Sequence, residues 1–168
     1  ALCSMPLAFS YPLMKRYTYW PQLFLGITFN YGLILGWVCI GNEIELVPII
    51  LYIGAIFWTL GFDTIYGYQD IKDDEIIGVK STSIKFKKNP KLFLIICYSI
   101  FIISLITIGL FMNFSLIFYI CLSIPVLHLF LYQIYNFNFK DSKKSLEIFK
   151  TNGLLGAIVL FNILIGKI

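Results

Sequence analysis

A chain of 168 residues with 59% hydrophobic and 13% charged side chains is too apolar for a water-soluble domain, in which about a quarter of residues carry charge. Its mean hydropathy of +0.84 points the same way. The net charge of +4 comes from lysines and arginines clustered beside apolar runs, which marks membrane topology and gives no case for nucleic acid as a partner.

The length fits one domain. Ala1 opens in mid-run, with no initiator Met and no basic leader ahead of a small-residue cleavage site. The chain is therefore read as truncated at its amino terminus. Cys3, Cys39, Cys97 and Cys121 sit singly in apolar runs without zinc or disulfide spacing, and read as small buried hydrophobes.

In chain order, apolar patterning predicts membrane helices over residues 1–14 (the tail of one), 21–40, 46–66, 92–112, 114–135 and 151–166. Most approach the ~20 residues that cross about 30 Å of hydrocarbon. None alternates strictly between apolar and polar residues, which excludes a porin-like barrel. The expected fold class is all-α, a polytopic membrane helix bundle. If the helices alternate across a bilayer, residues 15–19, 63–91 and 136–150 share one side. That side then holds every Lys and Arg except Lys167. The opposite side holds "GNEIE" at 41–45. By the positive-inside rule the basic loops face the cytoplasm, or the matrix of a mitochondrion.

The first chemistry-bearing stretch is "YPLMKRYTYWPQ", residues 11–22. Lys15 and Arg16 are interleaved with Tyr17, Tyr19 and Trp20. Two accounts are open: an interfacial anchor of aromatic rings and cations, or an anion site built on a planar Arg fork and a Lys point charge. Asn30, inside the next apolar run, is either a helix–helix hydrogen-bonding group or a pocket residue.

The second stretch is "FDTIYGYQDIKDDEIIGVKS", residues 62–81, with five acidic residues directly after an apolar run. On one continuous helix, Asp63, Asp70 and Asp74 would fall within a sector of about 40° over roughly 16 Å of axis. Gly67 would leave a gap on that stripe, and Lys72 would point away. Such a face suits a hard divalent cation sharing its shell with phosphate. The plainer account is an acidic juxtamembrane loop. Cytoplasmic flanks favour Lys and Arg, and ionisable groups at membrane depth are functional by default, so the metal reading leads. Gly78 is expected to end the helix. His128 reads as a neutral histidine bonded between helices, and Pro125 as a kink.

The two stretches together, "MKRYT" and the "DTIY…QD…DD…IGVKST" string, resemble the UbiA superfamily of intramembrane aromatic prenyltransferases. The resemblance is close over residues 9–83 and carried by hydropathy alone beyond. It implies a nine-helix bundle, of which this chain holds the carboxy-terminal two-thirds or so, and two aspartate-rich motifs that bind Mg²⁺ around the diphosphate of a polyprenyl donor. Asp70 and Asp74 match the second motif, with Asp63 also at a matching position. The first motif has no counterpart in the chain, which alone is expected to be inactive. Phe62 stands where the superfamily often has Tyr. Lys80 reads either as a diphosphate contact or as one more topological lysine. The reaction implied is transfer of a polyprenyl group from polyprenyl diphosphate to the ring of 4-hydroxybenzoate, in ubiquinone biosynthesis. The membrane implied is the inner membrane of a bacterium or of a mitochondrion. Other acceptors (haem, homogentisate, naphthoate, a chlorophyll precursor) and a non-enzymatic transport or scaffold role are the alternatives.

Overall fold

The computed structural model describes residues 4–41, 43–139 and 141–167. Cys3 and Lys140 lie outside the described residues. The elements are α1 (Met5–Ser10), a 3₁₀ turn (Tyr11–Leu13), α2 (Met14–Tyr17), α3 (Pro21–Gly41), α4 (Leu46–Gly67), α5 (Ile71–Ile77), α6 (Thr82–Lys85), α7 (Pro90–Phe111), α8 (Leu116–Cys121), α9 (Ser123–Leu127), a π-helical segment (His128–Ile134) and α10 (Ser142–Ile165). All regular structure among the described residues is helical. Five runs are long and apolar enough to cross a membrane: α3, α4, α7, the stretch from Leu116 to Ile134, and α10. The protein is an all-α polytopic membrane bundle.

Helix α4 is its axis, packed by α3, α7 and α10. Small residues let the backbones approach. A Cβ on Gly61 would lie 2.5 Å from the Tyr98 ring of α7, and one on Gly26 of α3 would lie 3.0 Å from the Ile56 carbonyl of α4. Close approach of this kind drives helix association where lipid removes the hydrophobic incentive. Leu60, Ile65, Leu94, Phe101, Leu105 and Leu155 fill the centre, while Ile40, Leu116 and Phe161 point outward.

A polar lock crosses this core. The Tyr98 hydroxyl donates to Gln133 Oε1 at 2.6 Å. Gln133 Nε2 donates to Asn152 Oδ1 at 3.0 Å, which also accepts from Trp58 Nε1 at 3.0 Å. Four segments are thereby tied by side chains.

Several boundaries differ from the sequence reading, each for a local reason. The tail helix continues past Met14 into α2, so Lys15 and Arg16 are themselves helical. The predicted helix over 114–135 is interrupted at Leu122 and turns π-helical from His128. Pro125 has no N–H to give the carbonyl four residues back, which frees the Cys121 carbonyl and loosens the winding there. His128 Nε2 lies 3.0 Å from Thr151 Oγ1 and joins this segment to α10. Finally, α10 starts at Ser142, well ahead of its apolar run. Asp141 caps it by accepting from the Lys144 N–H at 3.0 Å, the usual role of Asp at that position.

Candidate functional site

The end of α2, the first turn of α3, the last turn of α4 and the whole of α5 meet at one end of the bundle. The continuous stripe expected for Asp63, Asp70 and Asp74 is not formed. Helix α4 ends at Gly67, Tyr68 and Gln69 turn the chain, and Asp70 stands at the N-cap of a separate helix, α5. The break has a tertiary cause. Ser83 and Gln22 crowd Gly67, where an added Cβ would strike the Ser83 hydroxyl. Gly67 therefore admits a docking segment and does not leave a gap between carboxylates. At the far end of α5, Gly78 adopts φ 78° and ψ 22°, and its N–H returns to the Asp74 carbonyl at 3.0 Å. The left-handed turn suits glycine.

The docking segment is Ser81–Thr82–Ser83, wholly buried. Thr82 N–H donates to Gln22 Oε1 at 3.0 Å, and the Ser83 hydroxyl donates to the Thr64 carbonyl at 2.8 Å. Thr64 Oγ1 gives its proton to the Leu60 carbonyl at 2.6 Å. It must therefore accept from the Thr82 hydroxyl, also 2.6 Å away. Sequence reasoning passed over these hydroxyls. The run of three of them after Gly78 was the available signal, but their partners are 18 and 19 residues back along the chain.

The two chemistry-bearing stretches come together over this clamp. Lys80 N–H donates to the Lys15 carbonyl at 2.7 Å. Lys15 Nζ lies 3.3 Å from Asp74 Oδ2 and 3.5 Å from Oδ1, and it is near enough to interact electrostatically with Asp63. Lys80 Nζ donates to the Tyr17 carbonyl at 3.3 Å and lies 5.6 Å from the Tyr19 ring centre. Asp74 is 8% exposed; Asp63 is half-buried; Asp70 and Arg16 are exposed. Arg16 has no protein partner among the described residues.

Beside the site, between α3, α4 and α10, lies a cavity of about 390 Å³ walled by Asn30, Trp58, Phe62, Phe149 and Asn152. Asn30 spends its amide on the Gly26 carbonyl, the Ala55 carbonyl and Thr59 Oγ1, at 2.8, 3.2 and 2.8 Å. It joins α3 to α4 as well as lining the cavity. Phe62 packs against Trp58 and Phe149, each with centroids 5.7 Å away, as an apolar wall.

Among the described residues, no three Asp, Glu, His or Cys side chains gather closely enough to cage a metal ion. The donor set present is nonetheless of the right chemistry for part of a shell. The carboxylates of Asp63 and Asp70 are hard oxygen donors that accept no hydrogen bond from described residues, while Asp74 is shared with Lys15. A hard divalent cation needs only one or two such carboxylates when water and phosphate complete its shell.

The chain is similar to known proteins over most of its length. A protein of Drosophila pseudoobscura pseudoobscura named 4-hydroxybenzoate polyprenyltransferase, mitochondrial, is 37% identical over 166 residues, covering 98% of this chain and 42% of the fly protein. The Bos taurus protein of that name is 38% identical over 166 residues, 98% of this chain and 44% of its own length. One from Arabidopsis thaliana is 51% identical over 92 residues, 54% of this chain and 23% of the plant protein. The chain thus spans less than half the length of the fly and bovine relatives it matches. No solved structure matches it. The model of the UbiA prenyltransferase family matches residues 1–161, the span that includes both the Lys15–Asp74 pair and the buried hydroxyl clamp, and the chain belongs to that family.

Proposed function

We propose that this chain serves the transfer of a polyprenyl group from polyprenyl diphosphate to the ring of 4-hydroxybenzoate, in ubiquinone biosynthesis. The observation that carries the reading is the meeting of the "MKRYT" helix with α5 through Lys15 and Asp74. Cations, carboxylates and an apolar cavity then occupy one end of the bundle, as an anionic head on an isoprenoid tail requires.

In this reading Asp63 and Asp70 would hold Mg²⁺, with Asp74 shared with Lys15. When bound, the ion neutralises charge building on the departing diphosphate. Lys15, Arg16 and Lys80 add positive charge around the same anion, and Lys15 also fixes the direction of the Asp74 carboxylate. Lys15 Nζ is held by Asp74 and Lys80 Nζ by the Tyr17 carbonyl, so their charges are in place before substrate arrives, which is what makes electrostatic stabilisation effective. Trp58, Phe62 and Phe149 keep water from the allylic cation and offer it ring faces. Arg16, without a protein partner among the described residues, engages the acceptor carboxylate or the diphosphate. Asn30 acts by holding α3 against α4. The word mitochondrial in the relatives' names supports a mitochondrial membrane, and by the positive-inside rule the basic loops would face the matrix.

The test is prenyl transfer by membranes containing the protein as the cell makes it, given polyprenyl diphosphate, Mg²⁺ and 4-hydroxybenzoate. The expected result is prenylated 4-hydroxybenzoate, lost on chelation, with homogentisate and naphthoate inert. Transfer to either of those in preference to 4-hydroxybenzoate would overturn the acceptor assignment.

A further inference from the structure

The cavity between α3, α4 and α10 holds a hydrogen-bond acceptor that no described residue uses. The Asn30 amide can sit only one way round. The Gly26 and Ala55 carbonyls lie 2.8 and 3.2 Å away and have no hydrogen to give, so the amide nitrogen must face them. That nitrogen also reaches Thr59 Oγ1 at 2.8 Å, which commits the donor side of the amide to the α3–α4 contact. The remaining atom is Oδ1. It accepts no hydrogen bond from described residues, and it is not among the unpaired atoms that packing shuts in, as the Tyr68 hydroxyl and Gln69 Nε2 are. Because Asn30 lines the cavity, this oxygen is open to a donor that enters there.

The walls decide what kind of donor fits. Phe29, Trp58, Phe62 and Phe149 line the cavity, and aromatic walls favour a planar aromatic guest. Trp58 is fixed in place, stacked on Phe101 with centroids 5.0 Å apart and held through its N–H by Asn152. Lys150 is the cation among the lining residues and is exposed, which lets a guest carry an anionic group. An aromatic ring bearing one hydroxyl and one acidic group answers all of these features. The position suits the chemistry as well. Asp63 follows Thr59 by four residues, so it rises from the same face of α4 about 6 Å nearer the basic end. A phenol held at Asn30 is therefore about one helical turn from a carboxylate assigned to the metal.

We propose that Asn30 Oδ1 accepts a hydrogen bond from the phenol hydroxyl of the prenyl acceptor and so positions its ring in this cavity. Donating that bond leaves more electron density on the phenol oxygen and on the ring carbons ortho to it, the carbons that an allylic cation attacks. The assignment rests on the reading of 4-hydroxybenzoate as acceptor. It gives Asn30 a second task beside joining α3 to α4.

The experiment uses the protein as the cell makes it, carried from its membranes into nanodiscs. Equilibrium dialysis measures dissociation constants for 4-hydroxybenzoate and for 4-fluorobenzoate, which has nearly the same shape and no hydrogen to donate. The parent should bind 4-hydroxybenzoate roughly tenfold more tightly than 4-fluorobenzoate. In Asn30→Leu that preference should vanish, whereas a merely structural fault would weaken both ligands alike and keep their ratio. The variant should still fold, because the Gly26 and Ala55 carbonyls lie within α3 and α4 and keep their helical donors. The parent is also decisive by itself: equal affinity for the two ligands would overturn the proposal. Prenyl transfer to 4-hydroxybenzoate is followed in parallel. Transfer by the parent, with a ligand ratio unchanged in Asn30→Leu, overturns the Asn30 assignment and leaves the acceptor reading standing. A parent that prenylates another acceptor and not 4-hydroxybenzoate overturns that reading, and the Asn30 assignment with it.

Discussion

Lys15 Nζ stands 3.3 Å from Asp74 Oδ2, across 59 residues of chain, and this pair sets the geometry of the basic end. Asp74 is the more buried partner, its side chain 11% exposed against 45% for Lys15. Removing the lysine strands a shielded carboxylate, whereas removing the carboxylate leaves a lysine that can turn to water. The expected asymmetry is a larger loss of stability for Lys15→Met, about 1–2 kcal/mol, than for Asp74→Asn. A double-mutant cycle on melting curves measures it. Equal losses, with no coupling between the sites, would show that the pair is not structural.

Asp70 offers the complementary case. It is exposed, and its carboxylate accepts no hydrogen bond from described residues. Asp70→Asn should therefore leave the melting temperature within a degree or so while lowering prenyl transfer by roughly 100-fold or more, if the charge holds Mg²⁺. Asp74→Asn should lower both. Near-normal turnover by Asp70→Asn at saturating Mg²⁺ would remove it from the site.

Arg16 is exposed on α2 and has no protein partner among the described residues. If its planar fork engages a carboxylate or diphosphate, Arg16→Lys should lose a charged hydrogen bond, on the order of 1.5–3 kcal/mol, or roughly 10- to 150-fold in rate. Membrane insertion should be unchanged, because topology depends on charge and not on its shape. Activity within about twofold of the parent would assign Arg16 to anchoring.

Gly67 tests the clamp that presents α5. An alanine there would press its Cβ into the Ser83 hydroxyl, and overpacking of this kind costs roughly 1–3 kcal/mol. Gly67→Ala should therefore loosen the segment from Ser81 to Ser83 and lower turnover together with stability. Adding Ser83→Ala should recover part of the stability by removing the clashing oxygen, though the bond from Ser83 to the Thr64 carbonyl is lost. Protection of the Thr82 amide from hydrogen exchange reads the clamp directly, since that N–H is held by Gln22. Unchanged protection in Gly67→Ala would show that the segment docks independently of Gly67.

The membrane helices were legible in the sequence because lipid demands long apolar runs with self-satisfied backbones. Residues 21–40 and α3, or residues 92–112 and α7, differ only at their ends. Gly78 was legible for a similarly local reason, since a helix that must end in a left-handed turn favours glycine. Local pattern failed wherever a distant side chain intervened. An unbroken helix from Asp63 to Asp74 would have Gly67 as its one strong breaker, yet Ser83 and Gln22 fill the space above Gly67 and the chain turns at Tyr68. The carboxylates consequently lie on two helices, one at the end of α4 and two on α5 or its cap. Residue types and charge could mark Lys15, Asp63, Asp70 and Asp74 as chemistry-bearing, because ionisable groups are costly near lipid and are retained for cause. That Lys15 belongs to Asp74, that Asn30 is spent on α4, and that Tyr68 and Gln69 are left without acceptors depends on contacts between residues far apart in the chain. Spacing along a helix carries no information about such contacts; only the packing of α3, α5 and the Ser81–Ser83 segment around α4 determines them.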